Sequence, residues 1–214
     1  MKVAITGIVP VCENEFRIRF TFSDGENACT EDCVISVLHY AGLLPKVGEV
    51  SREQYEEIAW AAKVYEAKKY CQRALAYSRC SEKMLIRKAV MKGFERDAAT
   101  AAVRELCRDG YINTQDDVMR EAERGVGRYW GERRIAMELI RKGYPEDAVR
   151  FALREMRDSG VDYVESCMTM IRRRSAEVPE DPQEYRKMVA SLERYGYTLE
   201  EIRAACKRLK RESR

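Results

Sequence analysis

The stretch IRKGYPEDAVRFALREM at residues 140–156 decides the fold, because it repeats a pattern already present at residues 90–106, VMKGFERDAATAAVREL. Both stretches place a glycine and an aromatic residue before a helical run that ends in Arg-Glu and an apolar residue. A third copy centres on Gly196 and Tyr197. The first glycines of the copies, Gly93, Gly143 and Gly196, are separated by 50 and 53 residues. This spacing predicts an internal repeat of roughly 50 residues.

Each of these glycines suits the position just after a helix, where the backbone turns left-handed and a Cβ atom is unfavourable. Apolar residues recur nine and thirteen residues after the glycine, as Ala152 and Met156 do in the second copy. Their spacing of four places them on one helix face. An acidic residue such as Glu146 starts the helix after each glycine, where a carboxylate favours the helix dipole. The pattern therefore predicts three helices in each copy.

The predicted fold is mainly α, with three tandem three-helix repeats in a curved, elongated array, preceded by a small β-rich N-terminal module. The predicted boundaries are 1–50 for the module, 51–65 for a connecting helix, and 66–111, 112–160 and 161–214 for the repeats. Predicted helices lie near 66–78, 82–91, 96–108, 115–125, 132–141, 146–158, 162–175, 182–195 and 199–211. A longer joint at 177–182 separates the first two helices of the third copy.

The N-terminal module begins with strand patterns. Val3–Val9 is largely apolar and β-branched, and Pro10 would end this strand or place it at a sheet edge. Phe16–Phe22 alternates apolar and polar residues, as a half-buried strand does. A turn is predicted at 23–26, before a short third strand.

Helices are predicted to follow the strands of this module. Thr30 suits an N-cap, and an apolar-rich helix is expected from Cys33 through Leu44. Ser51 opens the next helix, with Gln54 placed to complete a capping box.

Charge is distributed unevenly along the chain. Residues 1–66 contain 6 Lys and Arg against 11 Asp and Glu, whereas residues 67–214 contain 33 against 25. A basic body after an acidic head indicates an acidic partner, such as nucleic acid or an acidic protein groove. A solvated surface with scattered arginines is the alternative, and the composition leaves both open.

The eight cysteines and the single histidine do not form a recognisable site. No C-x-x-C occurs, and His39 and Cys33 have no further ligand at zinc spacing. The cysteines are therefore interpreted as structural, and no metal is expected. The chain contains neither a signal-peptide pattern nor an apolar run of membrane-spanning length, so a cytoplasmic protein is expected.

The segment Gly125–Gly131 superficially resembles a phosphate-binding loop, but it joins two predicted helices and lacks the Lys-Ser/Thr ending. It presents Arg128, Tyr129 and Trp130, which could form a contact patch, or Trp130 could pack against adjoining helices. The acids at 116–117 sit where they would start a helix. No nucleophile clusters with them, so neither catalysis nor a cofactor is expected.

Five short segments, in this order and spacing, resemble the RecX family of regulators of the RecA recombinase. They are ALAYSRCSEK at 74–83, KGF at 92–94, DGYIN at 109–113, GERRI at 131–135 and RKGY at 141–144. Members of that family have three tandem three-helix repeats, in agreement with the period given by the glycines. The N-terminal module is also similar to that of some members, so the resemblance covers essentially the whole chain.

The resemblance implies a monomeric, non-enzymatic regulator. It would bind RecA and the RecA–DNA filament and modulate ATP hydrolysis and strand exchange, usually by inhibition. Stimulation and a direct contact with DNA stay open as alternatives. The alternative is a helical-repeat nucleic-acid-binding protein without RecA specificity. In either case basic and aromatic residues are the candidate partner-binding set: Arg128, Tyr129, Trp130, Arg133, Arg134, Arg141, Lys142, Arg150, Arg154, Arg172, Arg173, Arg174, Lys207 and Arg208.

Overall fold

A computed structural model describes residues 2–24, 27–174 and 178–212 of the chain. The predicted turn at 23–26 and the predicted joint at 177–182 fall partly on residues outside this set. The chain forms two compact units. The first contains residues 1–79 and 85–112, and the second contains residues 80–84 and 113–214.

An antiparallel four-stranded sheet opens the first unit. Its strands are β1 (Lys2–Cys12), β2 (Glu15–Asp24), β3 (Asn27–Ser36) and β4 (Gly48–Val50), in the order β3-β2-β1-β4. Alternating residues turn one sheet face inward, where Ile5, Ile18, Phe20 and Ile35 are buried. Strand β1 continues through Pro10, which the sequence placed at a strand end or an edge. Strand β4 pairs β1 only at residues 3–5, so the outer side of β1 is open beside Pro10.

The predicted helix from Cys33 to Leu44 is wrong in its first part. Residues 33–35 belong to β3 and pair with β2 in the order Cys33 to Ile18, Val34 to Arg17 and Ile35 to Phe16. The β-branched Val34 and Ile35 favour a pleated, half-buried strand over a helix. Helix α1 begins only at Val37 and ends at Leu43. Its N-cap is Ser36, not Thr30 as predicted.

A single helix, α2 (Arg52–Tyr77), replaces the predicted connecting helix and the separate helix near 66–78. Ser51 and Gln54 form the predicted capping box at its start. No glycine or proline interrupts α2, so nothing in the local sequence would break it. Ile58 and Ala61 contribute to the core under the sheet, whereas Val64 and Ala67 contribute to a second core with helix α4.

The remaining helices match the predicted positions within a few residues. They are α3 (Glu82–Met91), α4 (Arg96–Arg108), α5 (Thr114–Gly127), α6 (Glu132–Arg141), α7 (Glu146–Asp158), α8 (Tyr163–Arg172), α9 (Pro182–Arg194) and α10 (Leu199–Glu212). Helices α2–α4, α5–α7 and α8–α10 form three successive sets of three, called repeats 1, 2 and 3 below. The mainly α fold with a small N-terminal sheet is confirmed.

The repeated glycines adopt the predicted left-handed conformation, with φ of 104° at Gly93, 86° at Gly143 and 96° at Gly196. Each is followed by an aromatic residue whose backbone N–H bonds back to the preceding helix, as Tyr197 N does to Leu192 O over 3.2 Å. This arrangement satisfies carbonyls at the helix end. In repeats 2 and 3 the aromatic ring is buried, with Tyr144 5% and Tyr197 0% exposed.

A cluster of charged side chains lies inside the first unit. Lys68 is buried and donates to Glu105 over 2.9 Å and to Asp109 over 2.6 Å. The other carboxylate oxygen of Glu105 lies 3.0 Å from Nε2 of His39, and Nδ1 of His39 contacts Ser36 Oγ. The cluster connects the β3–α1 junction to α2 and α4. Its hydrogen bonds offset the cost of burying the charges.

Candidate interaction site

Two loops of the second unit meet through a pair of glycines. Gly131 lies between α5 and α6, and Gly196 lies between α9 and α10. Gly131 N donates to Tyr195 O over 2.8 Å, and Arg133 N donates to Gly196 O over 3.2 Å. A Cβ atom on Gly131 would stand 2.3 Å from the carbonyl carbon of Gly196, closer than real Cβ contacts come. The two loops are therefore held at a fixed distance.

The same kind of contact occurs once more in the second unit, one repeat earlier in sequence. Ser81 precedes α3 as Gly131 precedes α6, and Gly143 follows α6 as Gly196 follows α9. Ser81 Oγ donates to Lys142 O over 2.5 Å, in the place of the bond from Gly131 N to Tyr195 O. The repeat spacing thus reproduces a hydrogen-bonded contact between loops as well as a helix pattern.

A stack of alternating guanidinium groups and aromatic rings surrounds the contact between Gly131 and Gly196. The Arg134 guanidinium carbon lies 4.5 Å from the Trp130 ring centre and 5.0 Å from that of Tyr195. The guanidinium carbon of Arg128 lies 5.3 Å from the Trp130 ring centre, and that of Arg174 lies 4.8 Å from the Tyr195 ring centre. We call these five residues the guanidinium–aromatic ladder. Each contact falls within the range of an attractive cation–π interaction.

Tyr129 and Arg173 extend the cationic surface beside the ladder, with the Arg173 guanidinium 4.3 Å from the Tyr129 ring centre. Tyr129 has φ of 56°, a conformation that residues other than glycine rarely adopt. The hydroxyl of the buried Tyr197 donates to Tyr129 O over 2.6 Å and holds the loop in this conformation. Burial raises the pKa of the Tyr197 hydroxyl far above its usual range, so it remains a donor at neutral pH.

The ladder differs from its counterpart one repeat earlier in its charge. There, Lys142 and Glu121 form an ion pair that, with a nearby arginine, lowers the pKa of Glu121 against the effect of burial. The repeat spacing puts Tyr195 at the place of Lys142, and the Arg174 guanidinium contacts the Tyr195 ring where Glu121 contacts Lys142. An ion pair is thereby replaced by a cation stacked on a ring, and a carboxylate is lost.

The guanidinium groups of the ladder and of the neighbouring Arg173 have no carboxylate partner among the described residues. Within the part of the chain that the structure describes, Arg128, Arg134 and Arg173 form no ion pair, and Arg174 donates to the hydroxyl of Ser191. Stacking orients each guanidinium plane but leaves N–H donors at its edge. Such edges bind carboxylate or phosphate groups in a bidentate manner. The aromatic faces, by contrast, are covered by arginines, which disfavours stacking of nucleobases on them.

For Trp130 the sequence left open a contact patch and packing against adjoining helices, and the structure shows the packing. Its ring is partly buried against the core of repeat 2 and also carries Arg134 and Arg128. Of the predicted set, six residues are thus brought together: Arg128, Tyr129, Trp130, Arg134, Arg173 and Arg174. Whether they bind a partner stays a prediction.

The other predicted residues divide into paired and unpaired groups. Arg141 pairs with Glu138, Lys142 with Glu121, and Arg172 with Glu165 and Glu212, while Arg208 pairs with Asp162. These pairs compensate much of their charge. Four others are exposed and form no ion pair with described residues: Arg133, Arg150, Arg154 and Lys207.

Sequence reasoning missed Tyr195, which connects the two halves of the ladder. The signal was present, since Tyr195-Gly196-Tyr197 aligns with Lys142-Gly143-Tyr144 in the repeat. An aromatic residue at a position where the other copy carries lysine indicates a contact that differs between copies.

Among the described residues, no group of three or more His, Cys, Asp or Glu side chains is placed to hold a metal ion. No helix in the described ranges is both long and apolar enough to cross a membrane.

The fold and the ladder together define a tandem three-helix repeat protein with a stacked arginine surface. No family model matches the chain. Regulatory protein RecX of Xanthomonas axonopodis pv. citri is 36% identical over 129 residues, which is 58% of this chain and 76% of that protein. RecX of Trichlorobacter lovleyi is 34% identical over 126 residues, 56% of this chain and 79% of that protein. RecX of Caldanaerobacter subterraneus subsp. tengcongensis is 28% identical over 132 residues, 62% of this chain and 66% of that protein.

Two solved structures share the fold. A crystal structure of regulatory protein RecX has a TM-score of 0.72, 14% identity, and coverage of 95% of this chain and 98% of that one. RecX from Lactobacillus salivarius has a TM-score of 0.59 and 17% identity, covering 69% of this chain and 97% of that one. The chain belongs to the RecX family of regulatory proteins.

Proposed function

We propose that the protein binds the RecA recombinase and its filament on DNA, and inhibits ATP hydrolysis and strand exchange without being an enzyme itself. The observation that carries the proposal is membership of a family whose members are named regulatory protein RecX. In this proposal the protein acts as a cytoplasmic monomer in recombination, DNA repair and the SOS response.

The guanidinium–aromatic ladder is the proposed principal contact. Its arginines are oriented by stacking before a partner arrives, so less side-chain entropy is lost on binding. The N–H edges of Arg134 and Arg174 would bind carboxylates on RecA. Because no carboxylate of the chain competes for Arg134 among the described residues and its guanidinium contacts two rings, this arginine is a suitable anchor.

Weaker contacts would add to the ladder. Arg150 and Arg154 share one face of α7, and Lys207 is exposed on α10. In a filament the RecA protomers repeat regularly, so several weak contacts on one chain can engage neighbouring protomers together. Linked contacts of this kind strengthen binding without any single strong interface.

The alternative is a nucleic-acid-binding protein without RecA specificity. The same guanidinium edges suit phosphates, which makes this the second candidate. It predicts that affinity for DNA alone falls steeply with salt, because each neutralised phosphate releases counterions. It also predicts equal effects on any enzyme that works on single-stranded DNA.

The testing experiment is RecA-catalysed ATP hydrolysis on single-stranded DNA with substoichiometric protein added. Inhibition that persists at physiological salt supports the proposal. An unchanged rate at every salt concentration would rule it out. Inhibition that an unrelated single-stranded-DNA-dependent ATPase shows equally would favour the alternative.

Two matched variants locate the contact. Arg134→Gln combined with Arg174→Gln removes two guanidinium groups of the ladder, and we expect the concentration for half-inhibition to rise at least tenfold. Arg120→Gln combined with Arg186→Gln removes two exposed arginines elsewhere in the second unit and serves as the control. Equal losses in both pairs would show that only net charge matters.

A further inference from the structure

A groove of about 390 Å³ lies in the first unit, between β3 and the first half of α2. Its wall on α2 includes Tyr55, Glu56, Trp60 and Glu66, and its wall on β3 includes Glu31. Residues 56, 60 and 63 are spaced by four and three, so one helix face forms this wall. The groove belongs to the acidic part of the chain and has no role in the function proposed above.

The groove has a fixed aromatic floor. The Tyr55 ring packs edge-on against Phe20 and Phe22, at 5.0 and 5.2 Å between ring centres. Its hydroxyl donates to Glu31 over 3.1 Å and holds that carboxylate at the rim. Trp60 is 40% exposed beside it, so a large ring surface is in contact with solvent. An exposed indole next to carboxylates offers both an apolar face and negative charge.

The charges around the groove are not balanced from within. The only basic residue in its wall, Lys63, pairs with Glu95 over 2.7 Å. Glu66 forms no ion pair within the described ranges, and Glu56 pairs only with the exposed Arg52. A negative rim repels phosphates, which excludes DNA as the occupant. The complementary ligand is a cation that also stacks on an aromatic ring.

We propose that this groove binds an arginine side chain from a basic segment of a partner protein, stacked on Trp60 and paired with Glu31 and Glu66. Guanidinium is preferred to ammonium because it is planar, weakly hydrated and stacks on indole rings while its edge donates to carboxylates. A lysine would satisfy the charge but gain less from the ring. The first unit thus adds a second, cation-selective contact to the chain.

Trp60 itself reports on the proposal. The chain has two tryptophans, so Trp130→Phe in the full-length chain leaves Trp60 as the only indole fluorophore. The probe is a blocked hexapeptide of alternating Arg and Gly, with a Lys-Gly peptide of the same length for comparison. We expect saturable change in Trp60 emission with a Kd on the order of 10⁻⁴ to 10⁻³ M for the arginine peptide. The lysine peptide should bind at least threefold more weakly.

Matched acidic variants identify the groove. Glu31→Gln combined with Glu66→Gln should weaken arginine-peptide binding roughly tenfold. Glu53→Gln combined with Glu57→Gln changes net charge equally in the same unit and should leave binding within about twofold. Circular dichroism confirms that each variant is folded.

Three results would overturn the proposal. Equal affinity for the two peptides would show simple ionic attraction, and equal loss in both acidic variants would place the site elsewhere. A change of Trp60 emission on dilution of the protein alone would show that a second copy occupies the groove. The assay contains no RecA, so its failure leaves the proposed regulatory function untouched.

Discussion

Gly131 and Gly196 lie so close together that neither has room for a side chain. A Cβ on Gly131 would meet the carbonyl carbon of Gly196 at 2.3 Å, and one on Gly196 would meet Arg134 N at 2.4 Å. Gly131 has φ of −71°, which any residue adopts, so packing alone requires glycine there. Gly196 needs the left-handed conformation in addition. The contact sets the separation of the loops that carry Trp130 and Tyr195.

Gly131→Ala should therefore lower the free energy of unfolding of the second unit by about 1–3 kcal/mol, the usual cost of overpacking. Urea unfolding followed by Trp130 fluorescence, in a Trp60→Phe background, measures this. Gly127→Ala is the control, because a Cβ at that helical position meets nothing within 4 Å. It should leave stability unchanged or raise it slightly. A Gly131→Ala protein as stable as the control would contradict the contact.

The stacking of Arg134 on Tyr195 should appear as a coupling energy. In a double-mutant cycle with Arg134→Gln and Tyr195→Leu, we expect a coupling of roughly 0.5–1 kcal/mol in the free energy of unfolding. Arg133→Gln replaces Arg134→Gln in the control cycle, since Arg133 is exposed and its side chain contacts no ring among the described residues. Coupling of the same size in both cycles would mean that stacking is not its source.

The Ser81 hydroxyl makes two hydrogen bonds: it donates to Lys142 O and accepts from Met84 N at the start of α3. Ser81→Ala removes both bonds at a position only 4% exposed. We expect a loss of about 1–2 kcal/mol in the free energy of unfolding. Ser78→Ala, at an exposed position, should cost at most a few tenths. Chemical denaturation of both variants measures the two losses in the free energy of unfolding. Equal losses would contradict the prediction.

Glu105 should make the first unit sensitive to acid. Its hydrogen bond with His39, assisted by Lys68, lowers the pKa of Glu105 from 4.5 to about 2. A depressed carboxylate pKa stabilises the fold above the unfolded pKa, and this stability is lost as pH falls from about 4.5 towards 2. The contribution is on the order of 2–3 kcal/mol.

The measurement is denaturant unfolding of the wild type and Glu105→Gln between pH 7 and 2.5. The wild type should be more stable than Glu105→Gln at pH 6. The gap between their free energies of unfolding should narrow below pH 4.5. Glu53→Gln, an exposed residue in the first turn of α2, is the control and should show a small gap at every pH. A gap for Glu105→Gln that stays constant with pH would exclude titration of Glu105 as the cause.

The repeat was predictable because its signals are local. A glycine after a helix, an acid at the next start and apolar residues four apart follow from backbone geometry within one turn. The error at residues 33–36 has the opposite origin. Apolar residues there satisfy either a short helix or a strand, and only pairing with β2 decides between them.

The ladder could be predicted only in part. The sequence placed Arg128 and Trp130 in one contact patch, and Arg134 follows Trp130 by four residues. Tyr195 and Arg174 come from 40 or more residues away and meet them only because the glycine contact brings two loops together. Charge composition indicated a basic surface, but it could not show which arginines lack a carboxylate.

The unbroken helix α2 has a consequence for how the chain unfolds. At 1.5 Å per residue it extends about 39 Å, and its two halves are buried in different cores, one under the sheet and one against α4. If one core opens, half of α2 loses its packing while the other half stays buried, and this partly unfolded state is unfavourable. The sheet and repeat 1 should therefore share one cooperative transition. Amide protons in the middle of α2 should then exchange with solvent only when both cores open.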